Sequence, residues 1–194
     1  MVLLAATAPC LPCGRAEAQV TLGAGLESFR WTEQTTPRQV QEQGPVASVD
    51  LGWTQSSPHP WRLAYRSRYY LGWVDYRGSL LFQDHAPASG TTQYAGTRQE
   101  GQLRRRIAPL VDLYGGLGME WWRRTLGSHS AEDFAVRYAR LGVGTAVWPS
   151  GFSIDAGVTF VMGVSEDAHL TRFGFDQNPG LEPRGVPSGF ARLG

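Results

Sequence analysis

Along most of this chain, apolar and polar residues alternate one by one. That period puts successive side chains on opposite faces of an extended strand and fits no helix. In 19–31, Val20, Leu22, Ala24 and Leu26 share one face, and Thr21, Gly23, Gly25 and Glu27 the other. In 46–55, Ala47, Val49, Leu51 and Trp53 oppose Ser48, Asp50, Gly52 and Thr54. Segment 61–76 sets Trp61, Leu63, Tyr65, Tyr69, Leu71 and Trp73 against Arg62, Arg66, Arg68 and Gly72. Segment 111–124 sets Val111, Leu113, Leu117, Met119 and Trp121 against Asp112, Tyr114, Gly116, Gly118 and Glu120. The cleanest is 152–165, where Phe152, Ile154, Ala156, Val158, Phe160 and Met162 oppose Ser153, Asp155, Gly157, Thr159 and Gly163. Two segments are less regular. Segment 92–104 is polar on both faces, with Arg98, Glu100, Gln102 and Arg104 alternating with Thr97, Gly101 and Leu103. Segment 134–147 changes phase near Ala139 and Arg140, as a β-bulge would. An eighth strand begins at 188–193.

The connections alternate in length. Short turns containing Pro are expected near 56–60, 105–110 and 148–151, and longer polar loops near 33–44, 77–90, 125–133 and 166–187. Strands therefore run up and down between a short-turn end and a long-loop end.

Two architectures explain two-faced strands. A soluble sandwich or lipocalin-like barrel turns the apolar face inward, whereas a membrane barrel turns it to lipid and the polar face to the lumen. Four features favour the membrane. Several strands reach the ~9–11 residues that a tilted span needs, against the ~5–6 usual in soluble sheets. The two rims differ in loop length. All seven Trp lie near strand ends: Trp53, Trp61 and Trp148 toward the short turns, and Trp31, Trp73, Trp121 and Trp122 toward the long loops. Indole, with an apolar body and one donor, settles at the lipid–water boundary. Finally, the polar face carries Asp50, Arg62, Arg66, Arg68, Arg98, Glu100, Asp112, Glu120 and Asp155. In a narrow barrel these charges line the lumen as an ion-pair network, and closure satisfies the backbone in lipid. The expected fold is all-β: an antiparallel up-and-down transmembrane β-barrel of seven full strands and a partial eighth.

The pattern resembles the small outer-membrane β-barrels of Gram-negative bacteria, the OmpA/OmpX-like and porin-like group. Carrying the resemblance are Ala16-Glu17-Ala18 as an A-x-A cleavage site, Val20-Thr21-Leu22-Gly23-Ala24-Gly25-Leu26, Leu113-Tyr114-Gly115-Gly116-Leu117-Gly118 and Ile154-Asp155-Ala156-Gly157-Val158-Thr159-Phe160. It implies residues 1–18 as a signal peptide and 19–194 as the barrel domain. It further implies outer-membrane lipid and lipopolysaccharide as surroundings, and passage through the barrel-assembly machinery. Such barrels usually close on a C-terminal aromatic, whereas this sequence finishes Arg192-Leu193-Gly194. That departure reads as a fragment of a larger barrel, with strand number and oligomeric state left open.

Other chemistry is sparse. The two cysteines, Cys10 and Cys13, fall within the expected leader, after the apolar stretch 2–8. A net charge of +1 gives no reason to expect nucleic acid. Gly115, Gly116 and Gly118 open no helix, so a dinucleotide-binding reading fails. His59, His85, His129 and His169 all fall in expected turns or loops, on opposite rims, so no metal or other cofactor is expected. Ser128, His129, Ser130 and Glu132 contain the parts of a hydrolase, but adjacency in one loop is not triad geometry. The run Arg104-Arg105-Arg106 reads as a solvated turn. Even spacing of Arg62, Arg66 and Arg68 suits either an anion-selective strip or pairing with Asp50, Glu100, Asp112 and Glu120, and a narrow bore favours pairing. The expected function is a non-enzymatic outer-membrane barrel with a structural, surface-exposed or passive-permeation role. The alternatives are a lipid-modifying barrel enzyme and a secreted soluble β-barrel that binds an apolar ligand.

Overall fold

A computed structural model describes residues 6–7, 18–35, 38–56, 59–79, 87–126, 130–145, 152–169, 171, 176 and 187–193. Its elements are β1 (Ala6–Thr7), β2 (Ala18–Thr35), β3 (Arg38–Gln55), β4 (Trp61–Ser79), β5 (Pro87–Ala108), β6 (Val111–Leu126), β7 (Ser130–Thr145), β8 (Ile154–Asp167) and β9 (Ser188–Leu193). They form one sheet in sequence order, every neighbour antiparallel. The two-residue β1 pairs with Thr21 and Leu22 of β2. The other eight make an up-and-down sheet curled into a half-barrel, with no α-helix among the described residues. No helix there is long and apolar enough to cross a membrane, which says nothing of strands.

The curl shows in contacts between strands that are not neighbours. Arg66 of β4 reaches Asp155 of β8, Arg192 of β9 reaches Asp50 of β3, and Trp31 of β2 lies 6.3 Å from Phe134 of β7. All spring from one face, which is therefore concave. The other face carries the aliphatic residues and leaves them bare: Leu117 is 66 % exposed, Leu22 51 % and Val158 41 %. Among the described residues no dry aliphatic core separates two layers.

Strands run longer than alternation suggests. The expected loop 33–44 is instead a hairpin arm, with Thr35 opposite Arg38 and Glu33 opposite Val40. Both faces are polar there, so period two leaves no mark in hydropathy although the ladder continues. Similarly, β5 begins at Pro87, and the short turn near 105–110 shrinks to Pro109 and Leu110. The expected turn at 148–151 and most of the loop 166–187 lie outside the described residues. The eighth strand occupies 188–193 as expected and pairs with Ile154–Thr159 of β8, its lower half.

The expected bulge at Ala139 and Arg140 moves. Strand β7 keeps one phase throughout, with Phe134, Tyr138, Gly142 and Gly144 all buried. The extra residue is Met162 on β8: Arg137 pairs with Gly163, Tyr138 with Val161. From there the inward set of β8 passes from odd to even positions, which turns Val164 and Glu166 toward Val136 and Phe134. The sequence mimics a phase change there because the apolar Phe134, Val136 and Tyr138 face inward toward the long-loop rim, whereas lower on the strand the apolar Leu141 and Val143 face outward.

Candidate functional site: the charged concave face

Inward positions follow from strand parity, and curl brings them together. All nine charges expected on the polar face stand on the concave side, and each has an opposite charge in contact. Arg62 donates to Asp112. Asp155 accepts from Arg66 at 2.6 Å and from Arg104 at 3.0 Å. Arg68 pairs with Glu27. Arg98 holds Glu120 through both Nε, 3.0 Å, and Nη2, 2.7 Å. Glu100 accepts from Arg140 at 2.6 Å and from the Tyr138 hydroxyl at 2.9 Å. Asp50 meets Arg192 at 3.2 Å. Burial of such charges is tolerable only where partners and hydrogen bonds replace water.

Below the middle of the bore, Asp112 and Asp155 each gather more than one arginine. Asp112 has Arg62, Arg104 at 3.5 Å and Arg106 at 3.8 Å around it. Both carboxylates are 3 % exposed. Higher up, a cavity of about 360 Å³ opens between Asp50, Arg68, Arg98, Arg140 and Phe190. Its arginines are already committed to carboxylates, so the wall presents paired charge rather than a cationic strip.

Tyrosine and glycine set the depth of this layer. Four inward tyrosines stand directly opposite a glycine on the next strand: Tyr70 opposite Gly96, Tyr94 opposite Gly72, Tyr114 opposite Gly142, and Tyr138 opposite Gly118. A Cβ on Gly142 would sit 2.8 Å from the Tyr114 ring, and one on Gly118 would strike the Tyr138 ring. A side chain at Gly96, Gly118 or Gly142 would take the space of the Tyr70, Tyr138 or Tyr114 ring, so that Tyr138 could not reach Glu100, whereas one at Gly72 would meet Val46.

Toward the long-loop rim the concave face turns apolar. Val46, Val74 and Tyr94 form a buried cluster, with Phe29, Tyr70 and Trp122 packed against it. The Trp122 and Phe134 rings stack at 4.9 Å with 6° between planes. Above the cluster, Glu42 is fully buried and accepts from Thr92 at 2.8 Å, from Tyr94, and from Arg124 at 3.2 Å. Arg124 also donates to Glu132 at 2.7 Å.

The tryptophans divide. Trp53, Trp61, Trp73 and Trp121 point outward, 37 to 57 % exposed. Trp31 and Trp122 face the bore instead, because their parity on β2 and β6 is that of Glu27 and Glu120; Trp148 lies outside the described residues. Sequence reading also passed over Glu42, Arg104, Arg124, Arg140 and Arg192 as site members. For Arg104, Arg124 and Arg140 the signal was present, since they continue the even parity of their strands. Glu42 was hidden by the apparent loop. Of the hydrolase-like group, Ser128 and His129 lie outside the described residues, and Glu132 is held by Arg124.

A separate polar cluster sits on the long-loop side of Trp121. Arg123 grips Asp133 with two bonds, 2.7 and 2.8 Å, and His169 Nε2 lies 2.8 Å from the same carboxylate. Hydrogen bonds from Arg123 first, then from His169, hold the Asp133 carboxyl down at about 2. Among the described residues no group of His, Cys, Asp and Glu has the arrangement of a metal site.

These features define a class: an all-β, up-and-down curled sheet, apolar outside, with an ion-paired concave face. No family model, no curated protein and no solved structure matches the chain.

Proposed function

We propose that this chain is a β-barrel protein of a Gram-negative outer membrane, non-catalytic, with a structural or surface-exposed role and a bore filled rather than conducting. Its surroundings are outer-membrane lipid and lipopolysaccharide, and the barrel-assembly machinery handles it in transit. The observation that carries this reading is the inverted polarity: charges are buried and paired on the concave side while aliphatic side chains stand exposed on the convex side. Water penalises such a surface, whereas lipid favours it.

The height of the apolar band fits. On β4 the outward positions read Trp61, Leu63, Tyr65, Ser67, Tyr69, Leu71, Trp73. From indole to indole is about 40 Å of strand at ~3.3 Å per residue. A tilt of ~45° reduces that to about 28 Å, close to the ~25–30 Å of a bilayer's apolar layer. Past this band the outward face turns polar, with Arg30, Gln43, Asp75 and Arg77 around a rim groove of about 370 Å³. A soluble carrier would need Val20, Leu22, Leu117, Val158 and Phe160 to line a cavity, and they face away from the bore. The contact of each of the inward arginines Arg62, Arg66, Arg68, Arg98 and Arg140 with a carboxylate favours a filled bore over an anion-selective one.

Fractionation tests the location. The protein should resist alkaline extraction from outer membranes and dissolve in detergent, whereas release from the periplasm without detergent overturns the reading. In planar bilayers it should be electrically silent, and discrete conductance steps would refute the filled bore. His129→Ala should leave lipid A composition unchanged, and an altered lipid profile would contradict the absence of catalysis.

A further inference from the structure

The convex face is not uniform. On β7 and β8 its mid-height positions are Ala139, Leu141, Val143, Val158 and Phe160, all apolar. On β4 and β5 the middle is polar: Ser67 stands directly opposite Gln99, with Thr97 one outward position away. No aliphatic side chain larger than alanine occurs on the outward side of β5 from Ala95 through Gly101. The stripe lies midway between Trp61 and Trp73, where lipid solvates polar groups worst. Internal bonds cover part of the need. The Tyr65 hydroxyl donates to Gln99 Oε1, and Gln99 Nε2 donates to Thr97 Oγ1 at 2.7 Å. An amide offers two N–H donors and two acceptor lone pairs, so this pair of bonds does not exhaust it.

We propose that the β4–β5 wall, centred on Thr97 and Gln99 beside the buried Ser67, is the contact surface for a second copy of this chain in the membrane. The chemistry of the stripe selects that occupant. Every polar group in it is uncharged and carries both donor and acceptor, so the stripe is complementary to itself. A two-fold axis along the membrane normal brings each residue to its own counterpart at equal depth. Gly101, beside which a Cβ would meet open space, allows close approach, and Tyr65 and Tyr69 supply aromatic flanks of the kind that dominate contact energies. Amide and hydroxyl pairs across such a contact replace the water that lipid withholds.

The inference rests on the outer-membrane reading, and the experiment separates the two. The full chain carries Cys10→Ser and Cys13→Ser and one new thiol, Gly101→Cys, chosen because the added side chain meets nothing. Val158→Cys on the opposite wall is the control. Both are expressed, washed with alkali to establish membrane integration, and treated in native membranes with a short bismaleimide. Integrated protein should give a cross-linked dimer from Gly101→Cys and little from Val158→Cys. Adding Gln99→Leu should lower dimer yield roughly three- to tenfold, while heat-modifiable gel mobility reports that the monomer is still folded. Equal cross-linking from both walls, none from either, or no response to Gln99→Leu in integrated protein overturns the dimer alone. Loss of the protein in the alkaline wash overturns the membrane reading itself. Should Gly101→Cys fail to fold, Thr97→Cys gives the same readout.

Discussion

The lower and upper halves of the concave face solve the same problem in different ways. Around Asp112 and Asp155, charge neutralises charge, with several arginines sharing two deeply buried carboxylates. Around Glu42, a single buried carboxylate rests on neutral donors, Thr92 and Tyr94, and shares Arg124 with Glu132, above a stack of aromatic rings. The difference teaches where loss of one group is costly. In the lower half each carboxylate neutralises cations with few other partners, whereas in the upper half neutral donors and a second carboxylate stand ready.

The sharpest way to break the comparison is Asp155→Asn. Arg66 then loses its carboxylate, and Arg104 keeps Asp112 at 3.5 Å and the Gln102 side-chain oxygen at 3.1 Å. Breaking a buried ion pair costs about 3–5 kcal/mol, and Arg66, 28 % exposed, keeps some access to water, so urea unfolding in detergent should show a loss at the low end of that range. A loss as small as that of Glu42→Gln would mean the two halves are equivalent. Next comes Gly118→Ala, whose methyl meets the Tyr138 ring and lifts its hydroxyl from Glu100. Overpacking of this kind costs about 1–3 kcal/mol, and Tyr138→Phe combined with it should add less than the sum of the two. Glu42→Gln should cost only about 1–2 kcal/mol, because the amide oxygen still accepts from one of Thr92 and Tyr94, the hydroxyl that then faces the amide NH2 can turn to accept, and Arg124 keeps Glu132. The smallest effect belongs to the rim. Arg123→Ala removes an exposed pair worth under about 1 kcal/mol. Its mark is in acid: Asp133 is held near 2 by Arg123, below its ordinary 3.8, so its contribution is present above that ordinary value and fades as pH falls through about 2. In Arg123→Ala the fade should move up toward 3.8, as an NMR titration of the carboxyl would read.

Parity explains which parts of this site are legible. Asp50, Arg62, Arg66 and Arg68 are placed by a rule that needs only their own strand, and the same rule applied to Arg104, Arg124 and Arg140 reaches the bore too. It fails where hydropathy stops marking faces, as at Glu42, whose end of β3 is polar on both sides. At Trp31 and Trp122 parity holds and residue type misleads: indole suggests the lipid boundary, whereas parity, followed strictly, turns both side chains inward.

What the amino-acid order determined by itself is therefore the two-faced strand, the up-and-down course, and the short β9 at its expected place. Strand geometry repeats every two residues, so this information is local. Only the tertiary structure decided which arginine meets which carboxylate: Arg66 and Asp155 are 89 positions apart and touch because the sheet curls. Curl likewise set Trp31 near Phe134, and the register of β7 against β8 placed the bulge at Met162, which no single strand's alternation fixes.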